Sequence, residues 1–128
     1  MRVLLDTHLL LWTVASSRRL PKAARSIILD AANELFYSAA SVWEVAIKSA
    51  LRRADFKADP AALVRALAQS GFSELPVTAA HATRVAAMRA IHRDPFDRLL
   101  VAQSLAEPMT LLTNDAALVR YGPSVQLV

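Results

Sequence analysis

Arg2-Val3-Leu4-Leu5-Asp6-Thr7 is a short apolar run closed by an acid and a small hydroxyl residue. Val3, Leu4 and Leu5 do not alternate with polar residues. An extended conformation here needs apolar surroundings on both faces, which is the pattern of a strand inside a parallel sheet. The apolar run His8 to Ala15 follows at once, with Trp12 one turn after His8 and Leu9, and reads as a helix. A buried strand running straight into a helix, with no hairpin turn between them, is half of a βαβ unit and points to the α/β class.

The same alternation continues down the chain. Pro21 suits the start of a helix over Lys22 to Ala32, with Ala23, Ile27 and Ile28 on one face. Glu34–Ser38 reads as a second strand, and Ala39 to Arg53 as an amphipathic helix. That helix is expected to bury Val42, Trp43, Ala46, Ile47, Ala50 and Leu51 and to expose Ser41, Glu44, Lys48 and Arg52 as a polar stripe. Asp59-Pro60 is a cap followed by a first-turn proline, opening a helix to about Gln69 with Gly71 just beyond its end. Phe72–Val77 is a third strand, and Thr78 caps a helix over Ala79 to Ala90. A helix ending near Glu107 is stopped by Pro108. Met109–Thr113 is a fourth strand, a short helix runs to Arg120, and Val125–Leu127 is a terminal strand. The expected architecture is a three-layer α/β/α sandwich with a mainly parallel sheet, one domain over residues 1–128.

Composition narrows the function classes. The 128 residues are 55% hydrophobic with two glycines and no repeat, which excludes a disordered chain and provides for a real core. The longest uncharged apolar run, Leu9 to Ala15, is far too short to span a bilayer, and the first residues lack the apolar region of a signal peptide. With no cysteine there is no disulfide framework and no thiolate chemistry. A cytoplasmic protein without a membrane partner is expected. The net charge of +4 points to a polyanionic partner.

The most concentrated chemistry lies in His92-Arg93-Asp94-Pro95-Phe96-Asp97-Arg98-Leu99-Leu100. Asp94 is placed to be an N-cap, Pro95 takes the first helical position, and Asp97 falls at the third, the second half of a capping box. One acid suffices to cap a helix, so the second raises the question of an active site. Other acids sit where an α/β sheet binds ligands, at the carboxyl ends of strands. Asp6 follows the first strand, Asp115 follows the fourth, and Glu44 lies in the helix after the second. Several carboxylates in one cleft raise each other's pKa, and a hard divalent cation such as Mg²⁺ or Mn²⁺ resolves that conflict with oxygen ligands alone. Acids inside and bases around them fit a nuclease, with Arg93 and Arg98 flanking the cluster as possible phosphate contacts.

Each acid also has a plain structural account. Asp6 and Asp115 can cap the helices that follow them, Glu44 can pair with Lys48 one turn on, and Asp97 can complete the capping box. Asp30, Asp55, Asp59 and Glu74 fit as surface or cap residues. His8, His81 and His92 lack ligand spacing; His92, near the site, could touch substrate but reads more simply as a solvated loop residue. Trp12 and Trp43 read as core. There is no glycine-rich phosphate loop and no nucleophile elbow.

Four segments together resemble the PIN-domain ribonucleases of the VapC kind, found in bacterial toxin–antitoxin pairs. They are Leu4-Leu5-Asp6-Thr7-His8, Ser38–Lys48 with Ser41-Val42-Trp43-Glu44, His92–Gln103 with Asp94-Pro95-Phe96-Asp97-Arg98, and Leu111-Leu112-Thr113-Asn114-Asp115. The resemblance implies an acidic cleft that binds one or two Mg²⁺ or Mn²⁺ ions at Asp6, Glu44, Asp97 and Asp115. Asp94 stands as the cap, and Thr7 and Thr113 orient carboxylates or metal-bound waters. It further implies an RNA substrate, a homodimer and a cognate antitoxin lying across the cleft. Leu118 stands where many relatives carry an aromatic residue.

Two other readings compete with this one. A phosphotransfer domain is disfavoured because His8 stands where an aspartyl phosphatase has its second Asp, and because a receiver needs a late Lys while none follows Lys57. A non-catalytic α/β module that binds RNA or protein remains the alternative.

Overall fold

The computed structural model describes all residues, 1–128. Five strands, β1 (Arg2–Leu5), β2 (Glu34–Ser38), β3 (Ser73–Leu75), β4 (Thr110–Thr113) and β5 (Val125–Leu127), form one sheet in the order β3-β2-β1-β4-β5. Every neighbouring pair is parallel, with Leu4 opposite Phe36 on one side and Leu111 on the other. Six α-helices connect them: α1 (Thr7–Val14), α2 (Lys22–Leu29), α3 (Ala39–Ala50), α4 (Pro60–Gln69), α5 (Ala79–Ala87) and α6 (Pro95–Ala106). Short 3₁₀ helices occupy Ala54–Phe56 and Ala116–Tyr121.

Strand alternation divides the core into two layers, one on each face of the sheet. Val3 and Leu5 of β1 and Leu112 of β4 join Leu9 and Leu10 of α1, Ala24 of α2, Val45 of α3, and Leu63 and Leu67 of α4. Leu4 and Leu111, the intervening residues, face Leu100 and Val101 of α6 instead. The three-layer α/β/α sandwich and the parallel sheet expected from the sequence are therefore present.

Strand order locates the ligand-binding edge. The chain fills β1, β2 and β3 outward, then returns to lay β4 on the other side of β1. The order reverses at the β1–β4 boundary, where the connections leave the strand ends in opposite directions and open a crevice. Asp6 and Asp115 lie at that boundary. A buried hydrogen-bond chain fixes α6 to the same edge: the Ser38 hydroxyl donates to Gln103 Oε1 at 2.6 Å, and Gln103 Nε2 donates to the Pro76 carbonyl at 3.3 Å.

Several local expectations are corrected. Helix α3 stops at Ala50, because Arg52 turns into the left-handed region at φ 57°. Helix α5 ends at Ala87, since Met88 is extended, and the helix after Asp115 is a 3₁₀ turn. The buried face of α3 is also different. Trp43 is 60% exposed, Ala46 and Leu51 are exposed, while Ser41 and Glu44 are buried. A helix at the carboxyl edge of a sheet must serve a polar cleft as well as the core, so polarity misidentifies its inner face.

Candidate active site

Asp6 ends β1 and caps α1. Its Oδ1 accepts from the Leu9 N–H at 2.9 Å, and its Oδ2 accepts from the Thr113 hydroxyl at 2.6 Å. That hydroxyl in turn accepts the Asp115 N–H at 3.0 Å, which commits its proton to Asp6. Burial pushes the Asp6 carboxyl above the ordinary range, although these donors act the other way. Thr7 points its hydroxyl to Glu44 Oε1 at 2.5 Å, beside the Ser41 hydroxyl at 2.9 Å. The expected roles of Thr7 and Thr113 as orienting hydroxyls have this geometric basis: each holds one carboxylate of the cluster.

Glu44 is buried, with 3% of its surface exposed, and its second oxygen accepts from Lys48 Nζ at 2.5 Å. The pairing with Lys48 anticipated from the four-residue spacing is real, but it is made inside the cleft and not on the surface.

Asp94 and Asp97 divide their roles as the helix start requires. Asp94 Oδ1 accepts from the backbone N–H of Phe96 at 2.8 Å and of Asp97 at 3.3 Å, capping α6. The return half of the capping box does not form. The Asp94 N–H donates to His92 Nδ1 at 3.1 Å, leaving the Asp97 side chain without a capping duty. The Asp97 carboxyl, 21% exposed, accepts no hydrogen bond from within the chain. Its pKa is raised to about 7, first by burial and then by the charges of Asp94, Glu44 and Asp6, with His92 opposing.

His92 is no solvated loop residue. Its Nε2 lies 2.9 Å from Asp115 Oδ2 and 3.7 Å from Asp97 Oδ2, and its backbone N–H donates to the Tyr121 hydroxyl at 3.0 Å. Ligand atoms of His92, Asp97 and Asp115 fall within 4.8 Å of one another. With Nδ1 accepting the Asp94 N–H, Nε2 is the ring nitrogen placed to donate to Asp115. Asp115 keeps Oδ1 for the Ala117 N–H at 3.0 Å, capping the 3₁₀ turn.

The five acids line a cleft of about 190 Å³ with no hydrophobic residue in its wall, and His92 bonds Asp115 from beside it. Asp6, Glu44, Asp94, Asp97 and Asp115 face only two fixed cations, Lys48 and Arg53, a formal surplus of three negative charges. Oxygen donors with excess charge, one of them a carboxyl lacking any donor of its own, suit a hard divalent cation. The four expected acids are brought together. The sequence alone does not place Lys48, Arg53 and His8 at the cleft, the i,i+4 spacing of Glu44 and Lys48 being the one signal; Asp94, expected as the cap, also lines it. Of the two expected basic contacts, Arg93 is exposed, while Arg98 donates through Nη2 to the Val85 carbonyl at 3.3 Å and has a buried Nε without an acceptor.

A family model described as the PIN domain matches residues 3–122, from the first residues of β1 to the turn before β5. The chain belongs to the PIN domain family. All five cleft carboxylates fall inside the matched PIN segment. Solved structures share the fold across at least 95% of their lengths at low identity. One is the structure described as VapBC2 from Rickettsia felis bound to a DNA fragment from their promoter, with a TM-score of 0.70 and 15% identity over 100% of this chain and 98% of that one. Another is VapBC-1 from nontypeable Haemophilus influenzae, with a TM-score of 0.64 and 17% identity over 100% and 97%. A third is a toxin–antitoxin complex from Klebsiella pneumoniae, with a TM-score of 0.63 and 18% identity over 97% and 95%. Comparison with curated protein sequences gave no match. No helix of this PIN domain is long and apolar enough to cross a membrane.

Proposed function

We propose that this chain is a single PIN domain acting as a Mg²⁺- or Mn²⁺-dependent endoribonuclease, the toxin of a toxin–antitoxin pair. The observation that carries the reading is Asp97: a carboxyl without an internal donor, its pKa raised to about 7 by burial and three neighbouring acids. Ionised, a carboxylate placed so at the cleft is unfavourable unless a cation joins it, and a pure binding module has no use for the arrangement. Asp6, Asp97 and Asp115 would hold the ion, with Glu44 beside them. When bound, the ion activates water and stabilises the charge that develops on a phosphodiester.

The chain's own groups do the positioning. Thr113 sets the Asp6 carboxylate, Thr7 and Lys48 set Glu44, and His92 sets Asp115. Arg93 and Arg98 supply the phosphate contacts, Arg98 having first to give up its bond to the Val85 carbonyl. The three structural neighbours are described as toxin–antitoxin or VapBC assemblies, which supports a cognate antitoxin as partner. The exposed Trp43, edge-on to Phe96 at 5.4 Å, supports a homodimer. A cytoplasmic setting goes with an RNA substrate.

The test is cleavage of labelled RNA by the purified chain with Mn²⁺ and with excess chelator, beside Asp6→Asn and Asp97→Asn. Cleavage is expected only for the parent chain with metal. Cutting by folded, metal-supplied Asp97→Asn at the parent rate, or undiminished cutting in chelator, overturns the reading. RNA binding with no cleavage under any condition favours the non-catalytic module.

A further inference from the structure

Lys48 is the one lysine that lines the acidic cleft, and its surroundings are built for a fixed cation. The Nζ lies 2.5 Å from Glu44 Oε2 and 3.6 Å from Asp94 Oδ2, and the side chain is only 13% exposed. Two aromatic faces complete the enclosure: Phe56 at 4.7 Å and Phe96 at 5.4 Å from Nζ to the ring centroids. An ammonium held by two carboxylates and two rings is a poor surface ion pair and a good internal counter-ion.

The cleft is thereby split. Glu44 takes the Thr7 hydroxyl on one oxygen and the Lys48 ammonium on the other, and Asp94 shares the same ammonium while capping α6. Across the cleft, Asp97 has no internal donor, and Asp6 and Asp115 meet a hydroxyl, an imidazole and backbone N–H groups but no lysine or arginine.

We propose that the Lys48 ammonium occupies the place of a second cation on the Glu44–Asp94 side, so that the site takes one divalent ion, on the Asp6–Asp97–Asp115 side. Lys48 is then a positioning residue that sets metal stoichiometry and holds Glu44 off the ion. The inference rests on the metal-binding reading above, and the experiment separates the two.

Mn²⁺ is titrated calorimetrically into the parent chain and into Lys48→Met, which keeps an unbranched stem against Phe56 and Phe96 but removes the charge. One ion is expected for the parent and two for Lys48→Met, with Lys48→Gln as a second uncharged variant. Two ions in the parent, or one ion at parental affinity in both folded variants, overturns the role of Lys48 and leaves the metal site standing. No ion in the parent overturns the metal-binding reading and Lys48 with it. Should both variants fail to fold, the side-chain ammonium NMR signal of Lys48 in the parent decides at Mg²⁺ saturation. It stays protected from solvent exchange if the ammonium keeps its place and loses that protection if a second ion displaces it.

Discussion

Replacing Asp97 with Asn should make the metal-free protein more stable while destroying its function. The folded chain raises the Asp97 pKa from 3.8 to about 7, whereas the unfolded chain leaves it near its ordinary value. That rise is roughly three pH units at about 1.4 kcal/mol each, so ionising Asp97 in the folded, metal-free chain is about 4 kcal/mol harder than in the unfolded one. The folded state binds more protons than the unfolded state between the two values. The penalty is absent below the ordinary carboxylate range, grows as pH rises through the window, and is complete above about 7. Asparagine is nearly isosteric, carries no charge, and breaks no internal hydrogen bond to the carboxylate. Allowing for relaxation of the ionised cluster, Asp97→Asn should gain about 2–4 kcal/mol at about pH 8 in chelator, on the order of 10 °C in Tm, and less at about pH 5. Urea unfolding of both chains at the two pH values, with chelator and with Mn²⁺, measures this. Added Mn²⁺ should restore the stability of the parent and leave the variant unchanged. An Asp97→Asn chain no more stable than the parent in chelator at the higher pH refutes the claim that crowded charge at this residue awaits a cation.

Two further outcomes follow from the hydrogen bonds. His92→Ala should weaken Mn²⁺ binding about tenfold by releasing Asp115, and His92→Gln, which keeps an N–H near the position of Nε2, should recover most of it. Calorimetry that finds Gln as damaging as Ala would show the imidazole itself to be a ligand. Thr113→Val leaves Asp6 Oδ2 without its donor and the Asp115 N–H without its acceptor. It should lower folding stability by about 1–3 kcal/mol and depress RNA cleavage, with Thr113→Ser restoring both in parallel assays.

The fold was legible because buried parallel strands and capped helices leave strong local marks. Val3–Leu5 and Leu111–Leu112 are apolar on both faces, Asp59-Pro60 and Asp94-Pro95 open helices, and Gly71, at φ 85°, closes one. The acids were legible through their places after strands. What stayed hidden depends on which side of a helix meets the cleft. Glu44 and Lys48 look like a solvated pair by spacing, and only the packing of α3 beside α1 and α6 makes them interior. His92 was misread for a related reason. Its two ring nitrogens are engaged by a backbone N–H two residues on and by an acid from beyond β4, and periodicity reports neither. The end of α5 was overestimated because Met88, Arg89 and Ala90 are all good helix formers, and the turn toward His92 overrides that preference.

Asp6 and Thr113 are joined across 107 residues, and the strands that carry them are neighbours at the centre of the sheet. Until β4 is in place, β1 is an edge strand, and Asp6 lacks both its hydroxyl donor and its partners Asp97 and Asp115. During synthesis the cleft can therefore close only after β4 has joined β1, whatever has folded before it. A truncated or stalled product holds Asp6 and Glu44 but no assembled site. A protein whose proposed substrate is RNA thus lacks its assembled site until Asp115 and the strand before it have joined the sheet.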